Sequence, residues 1–183
     1  SGDPRAVAAL SELLSDPRYA MEAVRAMGKT GEALAVGPLM ALLESPRSAV
    51  QTRAVAQALV ELQRQHERRY AADLSPALRK AAAPGASRHL AQLLTQSDPP
   101  EQIALCRLLG ILADDAIAPQ LTELIGSSDA AVAEAAGRAL RVVSREAEGR
   151  LAHALEEGDS AQRKALLPLF ANNAAYAAPV ASC

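Results

Sequence analysis

The side chains best suited to metal ligation or nucleophilic attack in this 183-residue chain are three histidines and two cysteines. Their spacing builds no site. His66-Glu67 is a nitrogen–carboxylate pair of the kind metals use, but it occurs once, because His89 precedes Leu90 and His153 precedes Ala154. A two-metal centre needs several convergent ligands, so His66 reads as a solvated side chain. Cys106 lies in the apolar run Ile103–Leu112, among Ile103, Leu105, Leu108 and Leu109. A nucleophilic cysteine needs a helix start, or a cation and a base, to lower its pKa. Arg107 is next in sequence but points roughly a quarter-turn away on a helix, so Cys106 reads as core. No Gly-rich phosphate loop, Ser-His-Asp set or zinc spacing is present. The sequence predicts no catalytic residue, no metal and no cofactor, and hence a protein that is not an enzyme.

Charge is the next candidate for chemistry. The net charge of −2 argues against a dedicated nucleic-acid binder, which needs clustered positive charge to displace counterions from phosphates. Its distribution is uneven. Residues 64–89 carry six basic side chains, Arg64, Arg68, Arg69, Arg79, Lys80 and Arg88, against Glu67 and Asp73, a net of +4. Residues 98–160 carry twelve acids against five arginines, a net of −7. The first run is a candidate basic patch, although the acidic second half would repel a nucleic-acid backbone. Both runs read equally as solvated helix faces.

The elements that must position these residues are helical. Half of the chain is hydrophobic, yet only four residues are aromatic while 42 are alanine. Alanine is the best helix former, and small residues let helices approach closely, so an all-helical stack with a thin Leu/Ala/Val core is expected. Ala26–Ser45 and Leu108–Ser127 are similar stretches displaced by 82 residues, with Gly110 answering Gly28 and Leu121 answering Leu39. The first reads as a helix ending at Gly28, a short polar link through Lys29–Glu32 and a second helix running to Glu44, and the second stretch is similar.

Helix-start signals recur at Asp16-Pro17, Ser45-Pro46, Asp98-Pro99, Asp129 and Asp159, and counted at positions 16, 46, 98, 129 and 159 they are spaced by 30, 52, 31 and 30 residues. A period of 30 or 31 holds two helices and two short links. The 52-residue interval implies an insertion around residues 63–84, with a short extra helix from Ser75-Pro76 to Pro84-Gly85. Gln63–Arg69, wholly polar, is expected to project beyond the core. The last third reads as Pro100–Ala113 with Ala116–Gly126, then Asp129–Ser144 with Glu146–Glu157, then Ser160–Asn172 capped at Asn172-Asn173, with Tyr176–Val180 opening another helix.

These residues carry a resemblance. Gly2-Asp3-Pro4-Arg5-Ala6-Val7 with Leu10, and the hairpins around Gly28, Gly110 and Gly137, resemble HEAT repeats of the short bacterial kind also found in phycobilisome-linker lyases. The resemblance covers nearly the whole chain outside residues 63–84. The arginine and valine that commonly open the first helix are missing from most units. It implies a single all-α domain over residues 1–183, a right-handed α-solenoid of stacked antiparallel hairpins. Its exposed ends would accept a neighbouring domain, further repeats or a second copy. Beginning at Ser1 inside a repeat, the chain reads as an excerpt of a longer bacterial polypeptide. Two unpaired cysteines, no signal peptide and no membrane-length apolar run fit the cytoplasm.

The resemblance also widens the functional alternatives. Deoxyhypusine hydroxylases repeat the His-Glu pair across their units, which this chain does not. A bilin-lyase activity would need a tetrapyrrole pocket, for which the chain has few aromatics. HEAT-like glycosylases grip DNA with tryptophans at hand, and this chain has none. The leading expectation is a scaffold or adaptor that binds a partner protein on a concave face lined by second helices. From apolar periodicity the outward residues are Arg5, Glu12, Met40, Glu44, Gln92, Gln120, Glu123, Arg150, His153 and Glu157.

Overall fold

The computed structural model describes residues 4–44 and 49–157, and every regular element among them is helical. In chain order these are α1 (Pro4–Leu13), α2 (Ala20–Thr30), α3 (Val36–Glu44), α4 (Ala49–Tyr70), α5 (Ser75–Ala81), α6 (Ala86–Gln92), α7 (Pro99–Leu112), α8 (Ala118–Ile125) and α9 (Ala130–Glu157). Short 3₁₀ turns precede α3 and α8 and follow α6. The chain divides into two units, Ser1–Val143 and Ser144–Cys183. The packing described below is that of the first unit; in the second the described residues are the helical ones up to Glu157. The expected start at Ser45-Pro46, the helix from Ser160 to Asn172 with its Asn172-Asn173 cap, and Tyr176–Val180 lie outside the described residues.

Local sequence explains the starts of α7 and α9. Asp98 caps α7, accepting from the Glu101 amide at 3.0 Å, while Glu101 returns a carboxylate to the Asp98 amide at 3.4 Å, and Pro99 occupies the first turn. Two orphan amides are thereby satisfied at once. Asp129 caps α9 through the amides of Ala131 and Val132, at 2.8 and 3.2 Å. Asp16-Pro17 differs from its expected role. Its carboxylate takes the Arg18 amide and guanidinium, and α2 begins only at Ala20, so the pair shapes the turn ahead of the helix.

The packing core runs through α2, α4 and α7. α4 lies against α2 on one side and α7 on the other, and α7 also touches α5 and α6. Leu105, Cys106, Leu108 and Leu109 of α7 are all wholly buried, as are Val55, Leu59 and Leu62 of α4 and Met27 of α2. Each such aliphatic side chain contributes about 1.5–3 kcal/mol relative to exposure.

Two helix crossings are nearly in backbone contact. A β-carbon on Gly28 would stand 2.7 Å from the Ala58 carbonyl oxygen and 2.9 Å from its Cα. One on Gly110 would stand 3.0 Å from the Cα of Ala139. Glycine at these positions is therefore a condition of α2 meeting α4, and of α7 meeting α9, at their observed separation. The repeat read from the sequence thus marks helix crossings. Gly28 is not a helix end: α2 continues to Thr30, and Gly31, at φ 69°, takes the left-handed cap.

Two further expectations are corrected. Residues Ala130–Glu157 form one helix, α9, where two helices divided near residue 145 were expected. No Pro or Gly stands between Ser144 and Glu148, and Ala, Arg and Glu all favour continuation. The polar stretch Gln63–Arg69 does not project freely. His66 Nδ1 lies 2.7 Å from the Gly31 carbonyl oxygen, a contact that places the ring proton on Nδ1. Arg69 donates to the Thr30 carbonyl at 2.9 Å and pairs with Glu32 at 3.3 Å, and the Tyr70 hydroxyl donates to the same carboxylate at 2.7 Å. The last carbonyls of α2 need donors, and this stretch of α4 supplies them. Gln63 in turn holds the α4–α5 turn, accepting from the Leu74 amide at 3.1 Å and donating to Asp73 at 2.6 Å.

Candidate functional site

A groove of about 360 Å³ is walled by α4, α5, α7 and the first half of α9. Its walls follow helical spacing. α4 contributes Val60, Gln63, Arg64 and Glu67, α9 contributes Ala135, Arg138, Ala139 and Val142, and α7 contributes Arg107, Gly110 and Ile111. Positions three, four and seven apart share one face of a helix, so each wall is a single stripe. α5 closes one side with Ser75 and Arg79.

The floor is apolar because the glycine crossing makes it so. At Gly110 the backbones of α7 and α9 come close, and only small side chains, Ala135 and Ala139, fit beside it. Val142 at the margin is 38% exposed, one of the few large apolar side chains in the unit that is not covered. Arg64, Glu67, Arg107 and Arg138 are exposed around it, so the groove is open to solvent along this rim.

The rim is rich in guanidinium. Arg64 is held bidentately by Glu61, at 2.8 and 2.9 Å, and this bond keeps the Glu61 carboxyl below its ordinary range. Arg138 pairs with Glu134 at 3.0 Å, one helical turn earlier. Arg79 donates from Nε to the Ile111 carbonyl at 2.7 Å, which fixes its side chain across the end of α7. Arg107 makes no ion pair among the described residues. Glu67 is the one carboxylate in the lining.

The residues expected from sequence divide differently. Arg64 and Arg79 of the predicted basic patch reach the groove, whereas Arg68, Lys80 and Arg88 are exposed outside its lining. Arg69 is committed to Glu32 and to the end of α2, so the six do not act as one patch. Arg107 and Arg138 were not expected there. They fall in the acidic half of the sequence, and only their i, i+3, i+4 relation to small residues on α7 and α9 marks them.

Of the residues expected to face outward, Arg5 and Glu12 on α1, Glu44 on α3, Gln92 on α6, and Gln120 and Glu123 on α8 are exposed. Glu44 borders a second, smaller cavity of about 270 Å³ with Leu43, Pro84, Gly85 and His89. Met40 is a correction. It is 2% exposed and belongs to the core, because α3 is flanked by both α4 and α5, and the extra helix closes a side that a regular hairpin leaves open. The side chains of Arg150, His153 and Glu157 lie outside the described residues.

The described thiol and imidazoles lie outside the groove lining. The Cys106 thiol is wholly buried, away from the lining, and burial pushes it up to about 11. His66 and His89 are not in the lining either. Among the described residues no three of His, Cys, Asp and Glu are grouped so as to hold a metal, and no helix is long and apolar enough to cross a membrane.

No protein-family model matches the chain, and no curated protein is similar to it.

Proposed function

We propose that the chain is a non-catalytic scaffold: a HEAT-like α-solenoid that binds a partner protein along its helices. The observation that carries this reading is the recurrence of one crossing, Gly28 on Ala58 and Gly110 on Ala139, with the two glycines 82 residues apart. Two helix pairs that rebuild the same contact support a stacked reading, and a stack offers an extended surface rather than one enclosed site. An open groove beside the second crossing, lined by arginines and small apolar residues, is the kind of surface such a stack presents. The free thiol of Cys106 suits a reducing compartment, and we assign the scaffold to the cytoplasm of a bacterium.

Affinity capture from the source organism's extract tests the scaffold reading, with wild type compared against Glu44→Lys/Glu123→Lys on the second helices. Both positions are exposed, so melting should shift little. A protein retained by wild type at near-stoichiometric amounts supports the reading. Its loss in the double variant assigns it to the second-helix surface. Absence of any retained protein, together with a bound small molecule or colour in the purified chain, overturns the scaffold reading in favour of a ligand-handling domain.

A further inference from the structure

We infer that the arginine-rimmed groove is a docking site for an acidic amphipathic helix of a partner protein, an inference that rests on the scaffold reading above. Three features select that occupant.

The first is shape. The α4 and α9 stripes each span seven residues, about 10 Å of helix, which matches two turns of a docked helix. Gly110, Ala135 and Ala139 among the lining carry little or no side chain, which leaves room for one or two branched side chains of a docked stripe. Helix-in-groove recognition uses i, i+3, i+4 anchors of this kind.

The second is charge. Four arginines and one carboxylate, Glu67, line the groove. Glu61 and Glu134 already engage Arg64 and Arg138, which leaves Arg107 as the guanidinium with no salt bridge among the described residues, beside an Arg79 fixed by the Ile111 carbonyl. The lining is net positive, and planar guanidiniums take carboxylates bidentately. A partner helix with Asp or Glu beside its apolar stripe meets Arg107 directly and exchanges with Glu61 at Arg64 or with Glu134 at Arg138. A basic helix would set like charges against Arg107 and Arg79.

The third is exposure. Val142 stands uncovered at the margin of the same floor, next to exposed Arg138, so apolar and cationic contacts are offered together.

The test uses the full chain as bait against a displayed library of 18-residue helical peptides, followed by titration of the selected peptides. We expect the winners to carry one apolar stripe flanked by Asp or Glu. Arg107→Glu and, separately, Val142→Glu should weaken them about tenfold or more, whereas Arg88→Glu, outside the groove, should leave binding unchanged. Both altered groove residues are exposed, and unchanged melting of each variant certifies the fold. Neutral or basic winners, winners indifferent to the two groove substitutions, or no winners at all would overturn the inference. Arg107-dependent binding of dodecanoate without peptide binding would overturn it as well, in favour of a small amphipathic acid. Extract capture of a partner that depends on Glu44 and Glu123 but not on Arg107 would leave the scaffold reading standing and remove this one.

Discussion

Gly28 and Ala58 meet with no room for a side chain between them: a β-carbon on the glycine would lie 2.7 Å from the alanine's carbonyl oxygen. Backbone cannot yield as a flexible side chain does, so the only relief is separation of α2 from α4. Gly28→Ala should therefore cost about 1–3 kcal/mol of overpacking, less about 1 kcal/mol returned by the better helix former. Gly110→Ala, whose nearest atom is the Ala139 Cα at 3.0 Å, should follow in the same direction and by less. Gly37→Ala supplies the control, since nothing lies within 4 Å of a β-carbon there and the position is helical. It should stabilise by up to about 1 kcal/mol. Urea denaturation followed by far-ultraviolet circular dichroism distinguishes all three, and equal effects at Gly28 and Gly37 would refute the crossing.

Met40 and Glu44 occupy one face of α3 a turn apart, yet one is core and the other surface. Met40→Ala should lose about 2–5 kcal/mol, the usual cost of emptying a packed site. Glu44→Lys should stay within about 0.5 kcal/mol of wild type. Thermal melts of the two variants check this, and a silent Met40→Ala would restore it to the surface.

These two residues also show how far the sequence could be read. The helical class, the capping of α7 and α9 by Asp98 and Asp129, the short helix at Ser75 and the burial of Cys106 all follow from local chemistry: a cap, a proline, an apolar run. Met40 required knowing that α5 lies against α3, and nothing in the periodicity of α3 reports a neighbour encoded more than thirty residues later. Gln63–Arg69 misled for the same reason. A wholly polar run reads as solvated, whereas His66, Arg69 and Tyr70 serve the carbonyls and the Glu32 carboxylate at the far end of α2. The groove is the extreme case. Its residues come from four helices, and of its charged side chains Arg64, Glu67 and Arg79 belong to one charge run while Arg107 and Arg138 lie far from it in sequence.

Gln63 joins the end of α4 to α5 through one accepted and one donated bond. Gln63→Ala leaves the Leu74 amide without its acceptor, and Leu74 itself is buried. A loss of about 1–2 kcal/mol is expected, with faster amide exchange confined to Leu74 and α5. Since α5 carries Arg79 into the groove, any peptide bound there should weaken in parallel. Uniformly faster exchange across α2 and α7 would mean that the glutamine stabilises the unit globally and not this turn.

Two groups of opposite sign set the pH range of stability. Arg64 on Glu61, and the Ser75 hydroxyl and amide on Asp73, hold these carboxyls below their ordinary values of 4.5 and 3.8. The native state then binds fewer protons than the unfolded chain at low pH, so their stabilisation is complete above the unfolded values and is lost as pH falls through the folded ones. Cys106 runs the other way. Burial raises its thiol from 9.0 to about 11, the native state retains the proton longer, and stability declines as pH rises between those values. Denaturant midpoints should accordingly fall below about pH 4.5 and again above about pH 9. Cys106→Ala should flatten the alkaline limb while costing stability at neutral pH, and Glu61→Gln should flatten part of the acid limb. In a Cys183→Ser background the remaining thiol should resist Ellman's reagent until the protein opens. Reaction of Cys106 at the rate of a free thiol in native buffer would show that α7 is not the buried centre of the first unit.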